Sequence, residues 1–99
     1  MKIPTGFYYH YKHTSKDINN YAYEVIGVGV DTESGIEGVI YRPLYTSDHL
    51  KERNFYIRPF DMFVGDIEKD GKTFPRFIKI SDAEIISKLE KIRKEMYGV

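Results

Sequence analysis

Tyr21-Ala-Tyr-Glu-Val-Ile-Gly-Val-Gly-Val30 is the strongest strand pattern in the chain, and it decides the fold. Its β-branched and aromatic side chains favour an extended strand. Gly27 and Gly29 interrupt the run, and glycine inside a strand marks a bulge, a bend or a close approach to the backbone. Because such bends curl a short sheet, the stretch predicts a small, strongly bent sheet.

Four further strands are predicted at residues 7–12, 38–45, 55–59 and 74–80, which are rich in β-branched and aromatic residues. Pro43 lacks a backbone N–H, so the strand at 38–45 must lie at a sheet edge or end there. Asp70-Gly71 is the clearest hairpin signal in the chain. The apolar segment 60–63 is expected to form a tight turn or a short strand. The charged segment 46–54 has room for one helical turn.

One helix is predicted over residues 81–97. Ser81 and Glu84 have the spacing of a capping box, and Gly98 is placed to end the helix. Apolar residues recur at helical spacing, at Ile85, Ile86, Leu89, Ile92 and Met96. The predicted fold is therefore mainly β (α+β), a bent five-stranded sheet or an SH3-like barrel with one C-terminal amphipathic helix. We expect a single domain over residues 1–99, with its β core at 6–80.

The charge balance and composition exclude several classes of protein. The chain has 99 residues, with 15 Lys and Arg against 15 Asp and Glu, which disfavours strong, phosphate-driven nucleic-acid binding. The absence of cysteine excludes disulfides and cysteine-based zinc sites, and it suits a reducing compartment. No apolar run approaches the ~20 residues of a membrane span, and the N-terminus lacks the apolar segment of a signal peptide. We therefore expect a cytoplasmic protein with no cofactor and no membrane contact.

Three arginines lie next to prolines, in the pairs Arg42-Pro43, Arg58-Pro59 and Pro75-Arg76. Proline stiffens the local backbone, so each guanidinium is expected to hold a fixed direction. A planar guanidinium suits bidentate capture of a carboxylate or a phosphate. Ion pairs across the sheet with acidic residues such as Glu33 or Asp61 are the alternative.

Aromatic and imidazole side chains accompany these arginines. A tyrosine beside an arginine can stack on a base or a peptide, whereas core packing is the alternative role for each ring. The rings concerned are Tyr11, Tyr41, Tyr45 and Tyr56. Alternation along the first strand places Tyr8, His10 and Lys12 on one polar face. His10 titrates near neutral pH and can act as a general acid or base, although a solvated surface strand explains it as well.

A metal site is not predicted. His10, His13 and His49 lie near acidic residues, and clustered imidazoles and carboxylates do bind metals. However, residues three apart on a strand point to opposite faces, so His10 and His13 do not converge there.

Five motifs, taken in their order and spacing, resemble the bacterial and phage family known as domain of unknown function 1653. They are Gly6-Phe-Tyr8-Tyr-His10-Tyr11-Lys12, Tyr23-Glu-Val25-Ile-Gly27, Val39-Ile-Tyr41-Arg42-Pro-Leu44-Tyr45, Ile57-Arg58-Pro59-Phe-Asp-Met62-Phe63 and Asp70-Gly71-Lys72-Thr-Phe-Pro75-Arg76-Phe77. Together they cover most of residues 6–80. The resemblance implies a fold and a patch of residues, and it implies no reaction.

The chain departs from the family pattern in three places. Residues 13–20 look like an insertion before the second strand. Tyr56 stands where the family usually has a tryptophan, and Asp31-Thr32-Glu33 only approximates the Thr-Glu or Glu-Thr pair that the family usually has in this turn.

The first functional hypothesis is a binding module that recognises an anionic small molecule, a nucleotide or a short nucleic acid. Its predicted ligand-binding residues are Tyr8, His10, Lys12, Tyr41, Arg42, Tyr45, Tyr56, Arg58 and Arg76. The motivation is the rigid arginine set beside tyrosines.

Two hypotheses from other classes stay open. One is a small hydrolase in which His10 is the general base, Glu33 or Asp61 orients it, and Arg58 stabilises a developing anion. No nucleophile motif supports a particular reaction. The other is an interaction domain whose helix at 81–97 pairs with a second copy, unless its apolar stripe covers the chain's own sheet.

Overall fold

The computed structural model describes residues 2–46 and 54–99, which form seven strands and two helices. In chain order these are β1 (Gly6–His10), β2 (Ala22–Val30), β3 (Glu37–Pro43), β4 (Tyr56–Pro59), α1 (Phe60–Val64), β5 (Asp66–Lys69), β6 (Lys72–Pro75), β7 (Phe77–Lys79) and α2 (Ala83–Tyr97). The helical turn predicted within 46–54 falls mainly on residues 47–53, outside the described part. In the two described ranges, no helix has both the length and the apolar character to cross a membrane.

Five strands form one antiparallel sheet in the order β4-β3-β2-β1-β7, which confirms the predicted five-stranded sheet. Strands β5 and β6 form a separate hairpin. Within the described residues the edge strands β4 and β7 do not pair with each other, so the sheet is open and the barrel alternative is not formed. Instead, α1 and the β5–β6 hairpin carry the chain from one edge of the sheet to the other.

The two glycines of β2 have the roles that the sequence predicts. Tyr41 pairs with Val25 and Ile40 pairs with Gly27, so Ile26 is the extra residue of a β-bulge. At Gly29, an added Cβ would lie 2.8 Å from Cδ1 of Ile40, which is closer than side-chain packing allows. The bulge and the close approach are therefore both present.

One face of the sheet carries the aromatic core, and we call it the tyrosine face. Its buried residues are Tyr8, Tyr23, Val25, Val39, Tyr41 and Phe77. Phe63 of α1 covers them, with its ring stacked on Phe77 at a centroid distance of 4.0 Å. The prediction that Tyr8 lies on a polar face of β1 is therefore wrong. Tyr8 is only 5% exposed because α1 packs over it.

Helix α2 packs against the opposite face, which we call the helix face. This second core consists of Phe7, Ala22, Leu44, Ile80 and Leu89, with Ile85, Ile86, Ile92 and Tyr97 at its margin. Leu89 is fully buried. The apolar stripe of α2 therefore covers the chain's own sheet, as an amphipathic helix on a globular domain does.

Helix α2 begins one residue later than the capping box predicts. Asp82 is the N-cap, and its Oδ1 accepts hydrogen bonds from the backbone N–H groups of Glu84 and Ile85 at 2.9 and 3.0 Å. Serine and aspartate are both preferred at this position, so the sequence pattern did not separate Ser81 from Asp82. Gly98 ends the helix in the left-handed conformation, as predicted.

The segment between β4 and α2 differs most from the prediction. Phe60–Val64 forms the short helix α1 rather than the predicted turn or strand. The sequence does not predict this helix because five residues are too few to show helical periodicity. The predicted strand at 74–80 is divided at Arg76 between β6 and β7. The predicted hairpin turn is confirmed, since Asp70 and Gly71 both have positive φ angles, as a type I′ turn requires. Strand β3 ends at Pro43, as predicted.

Candidate functional site

His10 lies at the end of β1 on the tyrosine face, half-buried among aromatic rings. Its ring meets Phe77 edge-on at a centroid distance of 5.1 Å and lies 5.7 Å from the ring of Tyr21. Nδ1 of His10 accepts a hydrogen bond from the backbone N–H of Lys12 at 3.2 Å. The neutral ring then carries its proton on Nε2, which has no hydrogen-bond partner among residues 2–46 and 54–99. One N–H donor is therefore left for a ligand.

Burial and nearby cations lower the pKa of His10 from 6.5 to about 4. Burial is the largest cause, and the charges of Arg58, Lys12 and Arg76 follow in that order. His10 is therefore neutral at pH 7. No carboxylate of the described residues offsets these three cations at the His10 ring.

Arg58 stands on the tyrosine face of the edge strand β4, where it pairs in register with Val39. Its Nε donates a hydrogen bond to the hydroxyl of Tyr41 at 3.3 Å, and its guanidinium carbon lies 5.8 Å from the centroid of Phe77. Within the described ranges, Arg58 has no ion pair and its two terminal nitrogens have no hydrogen-bond partner. The side chain is therefore fixed at Nε, and its outer edge is left for a ligand.

Arg76 is fixed in the same way, at the break between β6 and β7. Its Nε donates to the carbonyl of Met62 in α1 at 3.0 Å, and its own carbonyl accepts the N–H of Tyr11 at 2.9 Å. Like Arg58, it makes no ion pair with the part of the chain that the structure describes. Each arginine keeps two terminal NH₂ groups, the geometry that holds a carboxylate or a phosphate in a bidentate manner.

The predicted tyrosines are mostly packing residues on this face. Tyr41 is buried and supports Arg58 through its hydroxyl. The hydroxyls of Tyr45 and Tyr23 bond each other, and burial raises the pKa of Tyr23 far above its usual value. The hydroxyl of Tyr56 is buried and finds no partner among the described residues. Of these rings, Tyr41 contacts Arg58 directly, and Tyr45 reaches the neighbourhood of His10 through the ring of Tyr21.

Arg42 does not join Arg58, because it lies on the helix face. Its Nε and Nη2 contact Oε1 of Glu24 at 2.9 and 2.8 Å, and Nη1 of Arg93 contacts the other carboxylate oxygen at 2.7 Å. Glu24, rather than Glu33 or Asp61, is thus the acidic partner. Arg42 takes the structural role that the sequence left as an alternative, and it ties β2 and β3 to α2.

The carboxylates assigned to the hydrolase hypothesis do not reach His10. Glu33 lies in the turn after β2, and nine strand residues at about 3.3 Å each put it roughly 30 Å from His10. Asp61 is an exposed residue of α1 and makes no hydrogen bond to His10. His13 stacks on Tyr9 instead, and in residues 2–46 and 54–99 no three potential metal ligands cluster. His49 lies outside the described residues.

Tyr21 is a site residue that the sequence analysis did not select. It has a left-handed backbone with φ of 52°, its side chain is 36% exposed, and its ring lies beside both His10 and Tyr45. The preceding loop holds it there, because Asn20 accepts the N–H of Thr14 and donates to the carbonyl of Asp17. The Asn19-Asn20 pair was the available signal, since asparagine commonly shapes tight turns.

A groove of about 390 Å³ lies on the helix face, at the far end of β2 and β3. Ile40, Ile57 and Pro59 give it apolar walls, and among the described residues no basic side chain lines it. This chemistry does not suit an anion. The candidate site is therefore the group around His10, which comprises His10, Lys12, Tyr21, Arg58 and Arg76.

Comparison with known proteins connects this fold to one family. The family model described as "Protein of unknown function (DUF1653)" matches residues 6–79. The chain belongs to this family. The DUF1653 match ends with β7, so α2 lies beyond it. It includes His10, Arg58 and Arg76.

A solved DUF1653 structure shares the fold. The crystal structure of a DUF1653 protein from Bordetella bronchiseptica is similar over 82% of this chain and 91% of that chain, with a TM-score of 0.64 and 20% sequence identity. At this identity the likeness shows the fold alone. None of the curated proteins is significantly similar to the chain.

Proposed function

We propose that this DUF1653 protein is a binding module for an anionic ligand, which Arg58 and Arg76 hold beside His10. The observation that carries the proposal is the state of the two guanidiniums. Each is anchored through Nε, and neither is neutralised by an acidic partner among the described residues. Arg42 and Arg93 provide the contrast, because both are paired with Glu24.

Neutral His10 adds a donor that suits the same ligand. Its Nε2–H has no acceptor among the described residues and can donate a third hydrogen bond to a ligand held by the two guanidiniums, and Lys12 adds a positive charge near His10. A phosphate or carboxylate group accepts several such bonds at once, and charge-assisted bonds are stronger than neutral ones. The cytoplasmic localisation expected from the sequence stays a prediction.

The proposal is tested by titrating the protein with inorganic pyrophosphate while its amide NMR spectrum is recorded. We expect shifts at Arg58, Arg76 and the neighbours of His10. Arg58→Gln should weaken pyrophosphate binding about tenfold or more, since a hydrogen bond to a charged group contributes about 1.5–3 kcal/mol. Arg58→Lys should also weaken it, because lysine keeps the charge and loses the planar fork.

Lys91→Gln is the matched control, since it removes an exposed cation from α2, away from the site. It should leave pyrophosphate binding unchanged. The unfolding free energy of Arg58→Gln should fall by no more than about 1 kcal/mol, the value of the lost bond to Tyr41. Flat spectra with pyrophosphate, or equal effects of Arg58→Gln and Lys91→Gln, would refute the proposal.

A further inference from the structure

Five rings form a continuous row beside the proposed anion site, and we call it the ring row. Its members, in order, are Tyr45, Tyr21, His10, Tyr11 and Phe74. Successive ring centroids lie 5.6, 5.7, 4.3 and 5.5 Å apart. None of the five is fully buried, and Tyr21 is the most exposed of them. The row thus differs from the buried core of the tyrosine face.

The cations lie along the middle of the ring row. Arg58, Lys12 and Arg76 all act on His10, the central ring, and the ammonium of Lys12 also lies 6.0 Å from the centroid of Tyr11. The backbone of Arg76 is also joined to the row, because its carbonyl accepts the N–H of Tyr11, whereas its guanidinium is anchored at the carbonyl of Met62. Half-exposed rings therefore lie beside three cations that make no ion pair within residues 2–46 and 54–99.

We infer that the ring row binds single-stranded nucleic acid, with bases stacked on its rings and phosphates held by Arg58 and Arg76. This inference rests on the proposed function and names its ligand. Proteins that bind single strands combine aromatic stacking with a cationic path for the backbone, because every base offers a flat face to a ring. A double helix hides those faces, so it cannot use the rings in this way.

Tyr21 provides the most specific support for this ligand. A bulky residue with a positive φ angle is strained, and such strain persists where the surrounding structure imposes it. The loop at 13–20 imposes it here through the contacts of Asn20, and the result is an exposed ring beside His10. Core packing does not require that position, because the ring stays 36% exposed.

The number of cations available for phosphates sets how strongly the binding should depend on salt. With about three cations available for phosphates, the logarithm of the binding constant should fall against the logarithm of salt concentration with a slope of about −2. Stacking supplies the remainder, which is insensitive to salt. The zero net charge of the protein is compatible with such binding, which needs few phosphate contacts.

The inference is tested by measuring the affinity of the full chain for thymidine oligonucleotides of increasing length and for inorganic pyrophosphate. Affinity should rise with length and level off at about four nucleotides, which is the lower end of the site sizes known for OB folds and suits a row of five rings. Tyr21→Asn should weaken oligonucleotide binding about tenfold or more, since each stacked base contributes about 1–3 kcal/mol. Asparagine tolerates a positive φ angle, so the loop should keep its shape. Pyrophosphate has no base to stack on Tyr21, so its affinity should fall much less than that of the oligonucleotides in this variant.

Tyr21→Phe is the matched control, because it keeps the ring and should keep oligonucleotide affinity. If pyrophosphate binds at Arg58 but oligonucleotides bind no more tightly, the inference fails and the proposed function stands. Equal affinity for a DNA duplex, or tighter binding of an acidic peptide, would also overturn it. If neither pyrophosphate nor oligonucleotide binds, the proposed function fails and the inference fails with it.

Discussion

Replacing Glu24 by alanine is expected to lower the free energy of unfolding by about 3–5 kcal/mol. Glu24 is only 8% exposed and forms ion pairs with both Arg42 and Arg93. Its loss leaves Arg42 without an ion pair among the described residues and leaves Arg93 with only Glu90, at 3.9 Å. Breaking a buried ion pair on one side is costly because the remaining charge keeps its desolvation penalty.

The surroundings of Arg42 make it hard for its side chain to move into solvent and so reduce this loss of stability. Its guanidinium lies between two rings, with its carbon 4.3 Å from the centroid of Tyr97 and 5.3 Å from that of Phe55.

Urea denaturation of Glu24→Ala measures the effect. Glu84→Ala is the control, because it removes the same side chain from an exposed pair with Lys88, and such pairs contribute no more than about 1 kcal/mol. Equal losses of unfolding free energy in the two variants would show that the ion pairs of Glu24 with Arg42 and Arg93 do not hold α2 to the sheet.

Replacing Phe63 by alanine is also expected to cost about 3–5 kcal/mol, as large-to-small changes of buried aromatic residues do. Phe63 is 1% exposed, and its ring stacks on Phe77. It also meets the rings of Tyr8 and Tyr41 edge-on at 5.7 and 5.2 Å. Phe63 is the one buried side chain of α1 and half-buried Phe60 packs against the same core, so Phe63 makes the largest contribution to holding the helix on the tyrosine face.

Met62→Ala is the control for Phe63, because Met62 belongs to the same helix and is 47% exposed. The unfolding free energy of Met62→Ala should fall by less than about 1 kcal/mol. The thermal unfolding of both variants, followed by circular dichroism, separates the two residues. A loss for Phe63→Ala no larger than that for Met62→Ala would contradict the assignment of α1 to the core. Because Arg58 lies over Phe77, the Phe63 variant should also weaken pyrophosphate binding.

Local chemistry made most of the sheet predictable from the sequence. The β2 strand followed from its own side chains, and the Asp70-Gly71 turn followed from the φ angles that a two-residue hairpin needs. The end of α2 at Gly98 was equally predictable, since few other residues end a helix in the left-handed conformation. Helix α1 was missed because five residues contain too little periodicity to distinguish a helix from a turn.

The site was harder to predict because its members meet only through the tertiary fold. Arg42 looked equivalent to Arg58 in sequence, yet it faces Glu24 and Arg93, which is 69 residues from Glu24. Tyr8 looked like a surface residue because alternation assumes one open face, whereas α1 and α2 cover both faces of β1. Tyr21 was not selected because its exposure depends on the fold of the loop before it.

The measurement that tests the central claim most directly is the pKa of His10 in the wild-type protein, read from its ring NMR signals with and without pyrophosphate. In the free protein we expect a pKa of about 4, because burial and the charges of Arg58, Lys12 and Arg76 disfavour the protonated ring. An anion between the arginines cancels their charge, so the pKa should rise toward 6.5 by about one unit or more. An unchanged His10 pKa at saturating pyrophosphate would place the anion elsewhere and contradict this account.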